Sequence, residues 1–94
     1  MALRAYGNKR DDNEAELVKV FERLGCSVYP LDKPADLLIG IQGRTFLVEV
    51  KAEKGRQTKD QVEFQMSWRG QYDIVRNEDD VIQFVCCNRS TEGV

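Results

Sequence analysis

Apolar residues recur at helical spacing early in the chain. Leu17, Val20, Phe21 and Leu24 fall at i, i+3, i+4 and i+7. Asp12 or Asn13 can cap a helix there, and Gly25 can stop it after Leu24. Lys19, Glu22 and Arg23 then face solvent. Glu14 lies three residues before Leu17, on the buried side of the wheel, and Glu16 lies at its edge. A carboxylate on a core-facing stripe is costly unless it is paired or bound to a metal. A glutamate in a first turn is also favoured by the helix dipole, so periodicity alone leaves both readings open.

The period then changes to two. Residues 26–29 form a short strand ended by Pro30, and 31–35 form a loop stiffened by Pro30 and Pro34. Two further strands, 36–41 and 44–52, are separated by Gln42-Gly43, a usable hairpin turn. Along the second of these, Phe46, Val48 and Val50 point to one face, and Leu47, Glu49 and Lys51 to the other. If Ile41 pairs with Arg44, Asp36 falls directly opposite Glu49; a four-residue loop closing at Gly40 and Thr45 keeps the same register. Directly opposed side chains share a face, with Cβ atoms about 4.5–5.5 Å apart. Two carboxylates so placed repel each other, and a hard divalent cation relieves the repulsion. Lys51 lies two residues further along the same face.

Residues 53–57 read as a charged loop around Gly55. Thr58-Lys59-Asp60-Gln61 matches a capping box and opens a helix through Trp68. Phe64 and Trp68 share the side of Gln61, with Val62 and Met66 widening the apolar face, so Trp68 is expected in the core rather than as a base-stacking platform. After Gly70, Tyr72–Val75 is a strand. Asn77 followed by Glu78, Asp79 and Asp80 reads as a cap with an acidic first turn. The helix it opens would run to about Cys87 and bury Val81, Ile82 and Val85, although its Val, Ile and Phe content also suits a strand. The order α-β-β-β-α-β-α predicts an α/β fold, a mixed β-sheet flanked by helices. A polar arm over 1–11, one domain over 12–88 and a tail over 89–94 complete the organisation expected of 94 residues.

Composition narrows the chemistry. There is no histidine, which excludes histidine-based triads and histidine-ligated zinc. The three cysteines, Cys26, Cys86 and Cys87, match no zinc spacing and read as free thiols. No apolar run reaches membrane-spanning length and no leader pattern opens the chain, so a soluble cytoplasmic protein is expected. The formal net charge of −2 is a poor overall footprint for nucleic acid. The basic residues are unevenly spread, however. Lys51, Lys54, Arg56 and Lys59 cluster just after the carboxylate pair, and Arg4, Lys9 and Arg10 mark the N-terminal arm.

Asp36, followed by Glu49-Val50-Lys51 at the end of the next strand, resembles the signature of the PD-(D/E)XK nuclease superfamily, whose core has the same order of elements. Glu14 with Leu24-Gly25, Thr58-Lys59-Asp60-Gln61-Val62 with Phe64, and Trp68-Arg69-Gly70 tighten the likeness. Together they resemble the stand-alone VRR-NUC domains of phages and prophages, over nearly all of 13–85. Glu14-Ala15-Glu16-Leu17 and Val48-Glu49-Val50-Lys51 are similar, less closely, to archaeal Holliday-junction resolvases. The Glu-x-Lys alone is a weak signal; the five polar positions together are fairly specific. One position departs from the pattern: Ala35 stands between Pro34 and Asp36, where the family has proline directly before the aspartate. Proline is not a ligand, so a shifted loop is expected rather than a lost site.

The resemblance implies a restriction-endonuclease-like fold with Asp36 and Glu49 as metal ligands, the Val50 carbonyl as a third, and Glu14 reaching the metal directly or through water. It implies that Lys51 positions or helps activate the attacking water and that Gln61 sits beside the site. An all-oxygen ligand set suits Mg²⁺ or Mn²⁺. Arg10, Lys54, Arg56 and Lys59 become candidate phosphate contacts. The implied activity is a metal-dependent endonuclease acting on branched DNA, four-way junctions first, as a homodimer, in a phage or prophage protein within a bacterial host. Residues 84–85 and 64–68 are the apolar stretches expected to be available for the dimer interface.

Overall fold

A computed structural model of the chain describes residues 13–89. The arm with Arg4, Lys9 and Arg10, and the tail beyond Arg89, lie outside the described residues. The elements run α1 (Glu14–Arg23), β1 (Ser27–Pro30), β2 (Leu37–Ile41), β3 (Arg44–Val50), α2 (Lys59–Ser67), β4 (Tyr72–Val75) and α3 (Glu78–Asn88). The predicted order is therefore observed, and the last element is a helix. Asn77 fixes that choice: its side chain accepts the Asp80 amide and caps an acidic first turn.

The four strands form one mixed sheet in the order β1-β2-β3-β4. β1, β2 and β3 are successively antiparallel, while β4 returns through α2 to lie parallel to β3. The β2–β3 hairpin closes with Ile41 opposite Arg44 around Gln42-Gly43. Both turn residues take positive φ, 49° at Gln42 and 84° at Gly43. This is the backbone that a right-twisted two-residue hairpin requires. Gly43 adopts it at no steric cost; Gln42 adopts it against the preference of a side chain with a Cβ.

One face of the sheet is dry. Leu37, Ile39, Ile41, Phe46, Val48, Val50 and Val75 meet Leu17, Val20 and Phe21 from α1 and Val81, Phe84 and Val85 from α3. Phe84 receives the rings of Phe21 and Phe46 edge to face, at 5.7 and 5.1 Å between centroids. The α1 stripe is as predicted, with Leu24 packed at its margin. On α3 the buried residues are Val81, Phe84 and Val85, whereas Ile82 turns outward. Spacing of three and four selects Phe84 rather than Ile82 once the element is a helix. Phe84 and Val85 are thus core residues and are not available to an interface.

The opposite face is thinly covered. Leu47 pairs with both Leu38 and Tyr72, which places these three side chains together on it. Phe64 lies 5.8 Å from Tyr72 and stacks on Trp68 at 5.3 Å, so α2 and its C-cap lean over this side. Yet α2 has no buried residue, and Trp68 is 42 % and Met66 81 % exposed. The expectation that Trp68 belongs to the core is therefore corrected. The helix ends at Ser67, before Trp68 can complete the apolar stripe. Beside it Leu38, Thr45, Leu47, Trp68 and Arg69 line an open groove.

Candidate active site

The hairpin register carries Asp36 and Glu49 to facing positions, because Leu37 pairs with Val48 in the last step of the ladder. Asp36 itself precedes β2. Its Oδ2 accepts the Val50 amide at 2.8 Å, which ties it to β3 beyond the end of the ladder. The backbone N–H and C=O of a strand residue point toward the same neighbour. The Val50 carbonyl thus faces the Asp36 side. Ala35 is buried, and the Leu31 amide donates to the Asp36 carbonyl at 2.8 Å, so the loop with the displaced proline still delivers Asp36 to the sheet.

Glu49 is fully buried, and neither of its carboxylate oxygens has a hydrogen-bond partner among the described residues. Burial pushes its pKa above the ordinary carboxylate range. The neighbouring Tyr72 hydroxyl opposes that shift, as do Lys51 and Gln57, whereas Asp36 adds to it. The Tyr72 hydroxyl is thus close enough to feel the charge, but it stops short of a well-formed hydrogen bond. Its own pKa is raised, by burial first and by Glu49 second. Two unsatisfied anionic oxygens in a buried position are costly unless a cation or a proton meets them.

Lys51 continues β3 at the rim, half-buried, with its amide bonded to the Val75 carbonyl at 3.0 Å. The start of α1 is fastened to the same end of the sheet. The Asn13 side-chain amide donates to the carbonyls of Arg76 (2.9 Å) and Lys51 (3.3 Å) instead of capping its own helix. Glu14 follows directly and is buried on the core-facing side, as its position on the wheel predicted. Among the described residues, no three acidic, thiol or imidazole groups gather around one point. A magnesium-type site does not need them, since it uses one or two carboxylates and completes its shell with water and phosphate. Asp36 and Glu49 fit that donor set, and the orphaned Glu49 oxygens are the feature that such an ion satisfies.

Gln61 takes the capping role that Thr58-Lys59-Asp60-Gln61 predicts. Its side-chain oxygen accepts the Thr58 amide at 2.8 Å and its own amide donates to Thr58 Oγ1 at 3.2 Å, which is the predicted capping box in full. The glutamine that bonds to a neighbour of the carboxylate is Gln57, four residues earlier, whose Nε2 donates to the Tyr72 hydroxyl at 3.3 Å. Neither Gln57 nor Tyr72 stood out in the sequence. Tyr72 becomes a neighbour of Glu49 only through the parallel β3–β4 register, with Leu47 opposite Tyr72 and Glu49 opposite Ile74. No local pattern announces a register set across a helical crossover.

The loop over 51–58 carries Lys54 and Arg56 into solvent, and exposed Lys59 opens α2. Arg76, just after β4, holds this loop by donating Nη1 to the carbonyls of Ala52 (2.8 Å) and Gly55 (2.7 Å). Asn77 adds a bond to the Glu53 carboxylate at 2.7 Å. The basic residues therefore sit on a fastened loop that begins at Lys51 and ends at Gln57 beside the carboxylate. Arg10 lies outside the described residues. The three thiols are free, with Cys26 buried and Cys86 and Cys87 exposed.

Compared with models of protein families, with curated proteins and with solved structures, the chain gives no match. Among the described residues, no helix is long and apolar enough to cross a membrane.

Proposed function

We propose that the protein is a divalent-metal-dependent DNA endonuclease of the PD-(D/E)XK type, similar to stand-alone VRR-NUC domains. The observation that carries the reading is the buried, unpartnered Glu49 carboxylate facing Asp36, with Lys51 two residues on. Asp36 and Glu49 would hold Mg²⁺ or Mn²⁺, joined by the Val50 carbonyl and, directly or through water, by Glu14. When bound, the ion supplies Lewis acidity for phosphodiester hydrolysis. Lys51 places a positive charge where the attacking water and the scissile phosphate meet. Lys54, Arg56 and Lys59 line the approach and contact phosphates flanking the cut, with Arg10 a further candidate from the arm.

The preferred substrate in this reading is branched DNA, with the four-way junction first. One domain of this size holds one scissile phosphate, so symmetric cleavage of a junction requires two copies related by a two-fold axis. The basic surface of two copies also offsets the unfavourable net charge of one. With Phe84 and Val85 in the core, the expected apolar stretch that stays exposed for pairing is that of Val62, Met66 and Trp68 on and beside α2. A phage or prophage setting within a bacterial cytoplasm follows from the same resemblance.

The test is incubation of the protein with labelled four-way junction, flap and linear duplex DNA, in Mg²⁺, Mn²⁺ or chelator. Paired nicks in the junction, lost in chelator, are the expected result. Equal cutting of all three substrates reduces the reading to a general nuclease. Binding without cutting under any metal identifies a DNA-binding module that keeps the fold without the chemistry. Light scattering over a range of concentrations checks the dimer.

A further inference from the structure

Tyr72 has no role in the metal site as described so far, and three observations give it one. It lies on the sheet face that carries Glu49, because Leu47 is its register partner and alternate residues share a face. Its hydroxyl oxygen is already an acceptor: Gln57 donates Nε2 to it at 3.3 Å, while the same nitrogen donates to Gln65 Oε1 at 3.0 Å. A glutamine amide nitrogen only donates, so the single phenolic proton must point elsewhere. Glu49, on the same face, is a neighbouring acceptor: neither of its two buried oxygens has a hydrogen-bond partner among the described residues. The ring, in turn, is held by Phe64, which stacks on Trp68.

We infer that Tyr72 is a positioning residue for Glu49: Gln57 orients the phenol, and the phenol donates its proton to one carboxylate oxygen, leaving the other aimed at a divalent cation. The inference rests on the metal-site reading above and deepens it. Rotation of an unanchored carboxylate spreads its oxygens over several positions, and an ion that tolerates little distortion binds such a ligand poorly. A neutral phenol suits the task. It fixes the carboxylate without contributing a competing positive charge, as a lysine would, and without being a strong ligand itself. The relay from Gln65 through Gln57 and Tyr72 also links α2 and the loop over 51–58 to the metal ligand.

The experiment is titration of the DNA-free protein with Mn²⁺ by calorimetry, for wild type, Tyr72→Phe, Gln57→Leu and the double variant. Tyr72→Phe keeps the ring against Phe64 and removes only the hydroxyl. It is expected to weaken Mn²⁺ binding about 10-fold, in the range found when a group behind a metal ligand is lost. Gln57→Leu should weaken binding less. The double variant should be no worse than Tyr72→Phe, because the two act in one chain and their effects do not add. Melting temperatures in chelator serve as the control, since a merely structural role would lower them and leave Mn²⁺ affinity of the folded protein unchanged. Wild type that binds Mn²⁺ with Tyr72→Phe indistinguishable from it overturns the role of Tyr72 alone. Wild type that binds no Mn²⁺ removes the metal site, and this role with it.

Discussion

The two faces of the sheet obey opposite rules. Under α1 and α3 the inward side chains are buried and, Glu14 at the start of α1 apart, apolar. On the other face, α2 buries none of its own residues and leaves the groove beside Trp68 open. The same β3 serves both. Val48 and Val50 finish the core, and Glu49 between them is equally buried but carries two unsatisfied carboxylate oxygens. Burial therefore means different things one residue apart. On the first face it removes apolar surface from water and stabilises the fold. On the second it holds a charge where the folded chain alone gains nothing from it, and sets that charge beside Asp36 and Lys51.

The comparison breaks most sharply if substitutions on the two faces are exchanged between assays. On the open face, Asp36→Asn or Glu49→Gln should reduce cleavage to background, a loss of several kcal/mol in the barrier once the ion is no longer held. Stability in chelator should hold or rise, because each change removes one member of a repelling carboxylate pair. A marked fall in metal-free stability with cleavage preserved would mean that these carboxylates belong to the fold and not to a site. On the covered face, Phe21→Ala should cost about 3 kcal/mol or more in urea unfolding, since it empties a fully buried ring site against Phe84. Cleavage per folded molecule should be unchanged. If Phe21→Ala instead altered cleavage at full folding, the division between the faces would be wrong.

Lys51→Ala tests the boundary between the two roles. Its side chain belongs to the open face, while its backbone ties β3 to β4 and to Asn13. Alanine keeps those backbone bonds. Turnover should fall on the order of 100-fold, a size typical of a lost proton-handling or charge-placing group, while Mn²⁺ still binds measurably. Turnover within a few-fold of wild type, about 1 kcal/mol in the barrier, would show that Lys51 merely caps the strand end.

The sequence made the covered face legible and the open face only partly so, for a physical reason. Helical and strand periods report burial of apolar groups, so the α1 stripe, the hairpin register and the Asp36–Glu49 pairing could be read directly. Where sequence and structure part, a local rule met a competing local use. Gln61 is taken by its cap, and Gln57 reaches the site instead. On α2, Phe64 and Trp68 share a period that predicts burial, but the helix stops at Ser67 and the two rings stack on each other at the rim. Tyr72 lacks any signal, because its neighbour across the sheet is chosen by the parallel register and not by anything adjacent in the chain.

The smallest expected effect is the pH dependence of stability in chelator, and its sign separates the two kinds of burial. Burial, with Asp36 adding to it, holds the Glu49 pKa above the ordinary carboxylate value of about 4.3. Between the unfolded and folded pKa values the native state therefore binds more protons than the unfolded state. Stability must then fall as pH rises through that window. The contribution from Glu49 is fully present below the unfolded pKa and is lost as pH passes the folded one. Other carboxylates titrate over the same range, but they are common to wild type and Glu49→Gln and cancel in the difference. The urea midpoint of wild type should therefore drop relative to Glu49→Gln as pH rises above the unfolded carboxylate value of about 4.3. Saturating Mn²⁺ at the upper end should restore it, because the ion binds the charged form that burial disfavours. A difference between the two proteins that stays constant with pH, or wild type gaining on the variant as pH rises, would mean that Glu49 is satisfied within the fold and has no need of a cation.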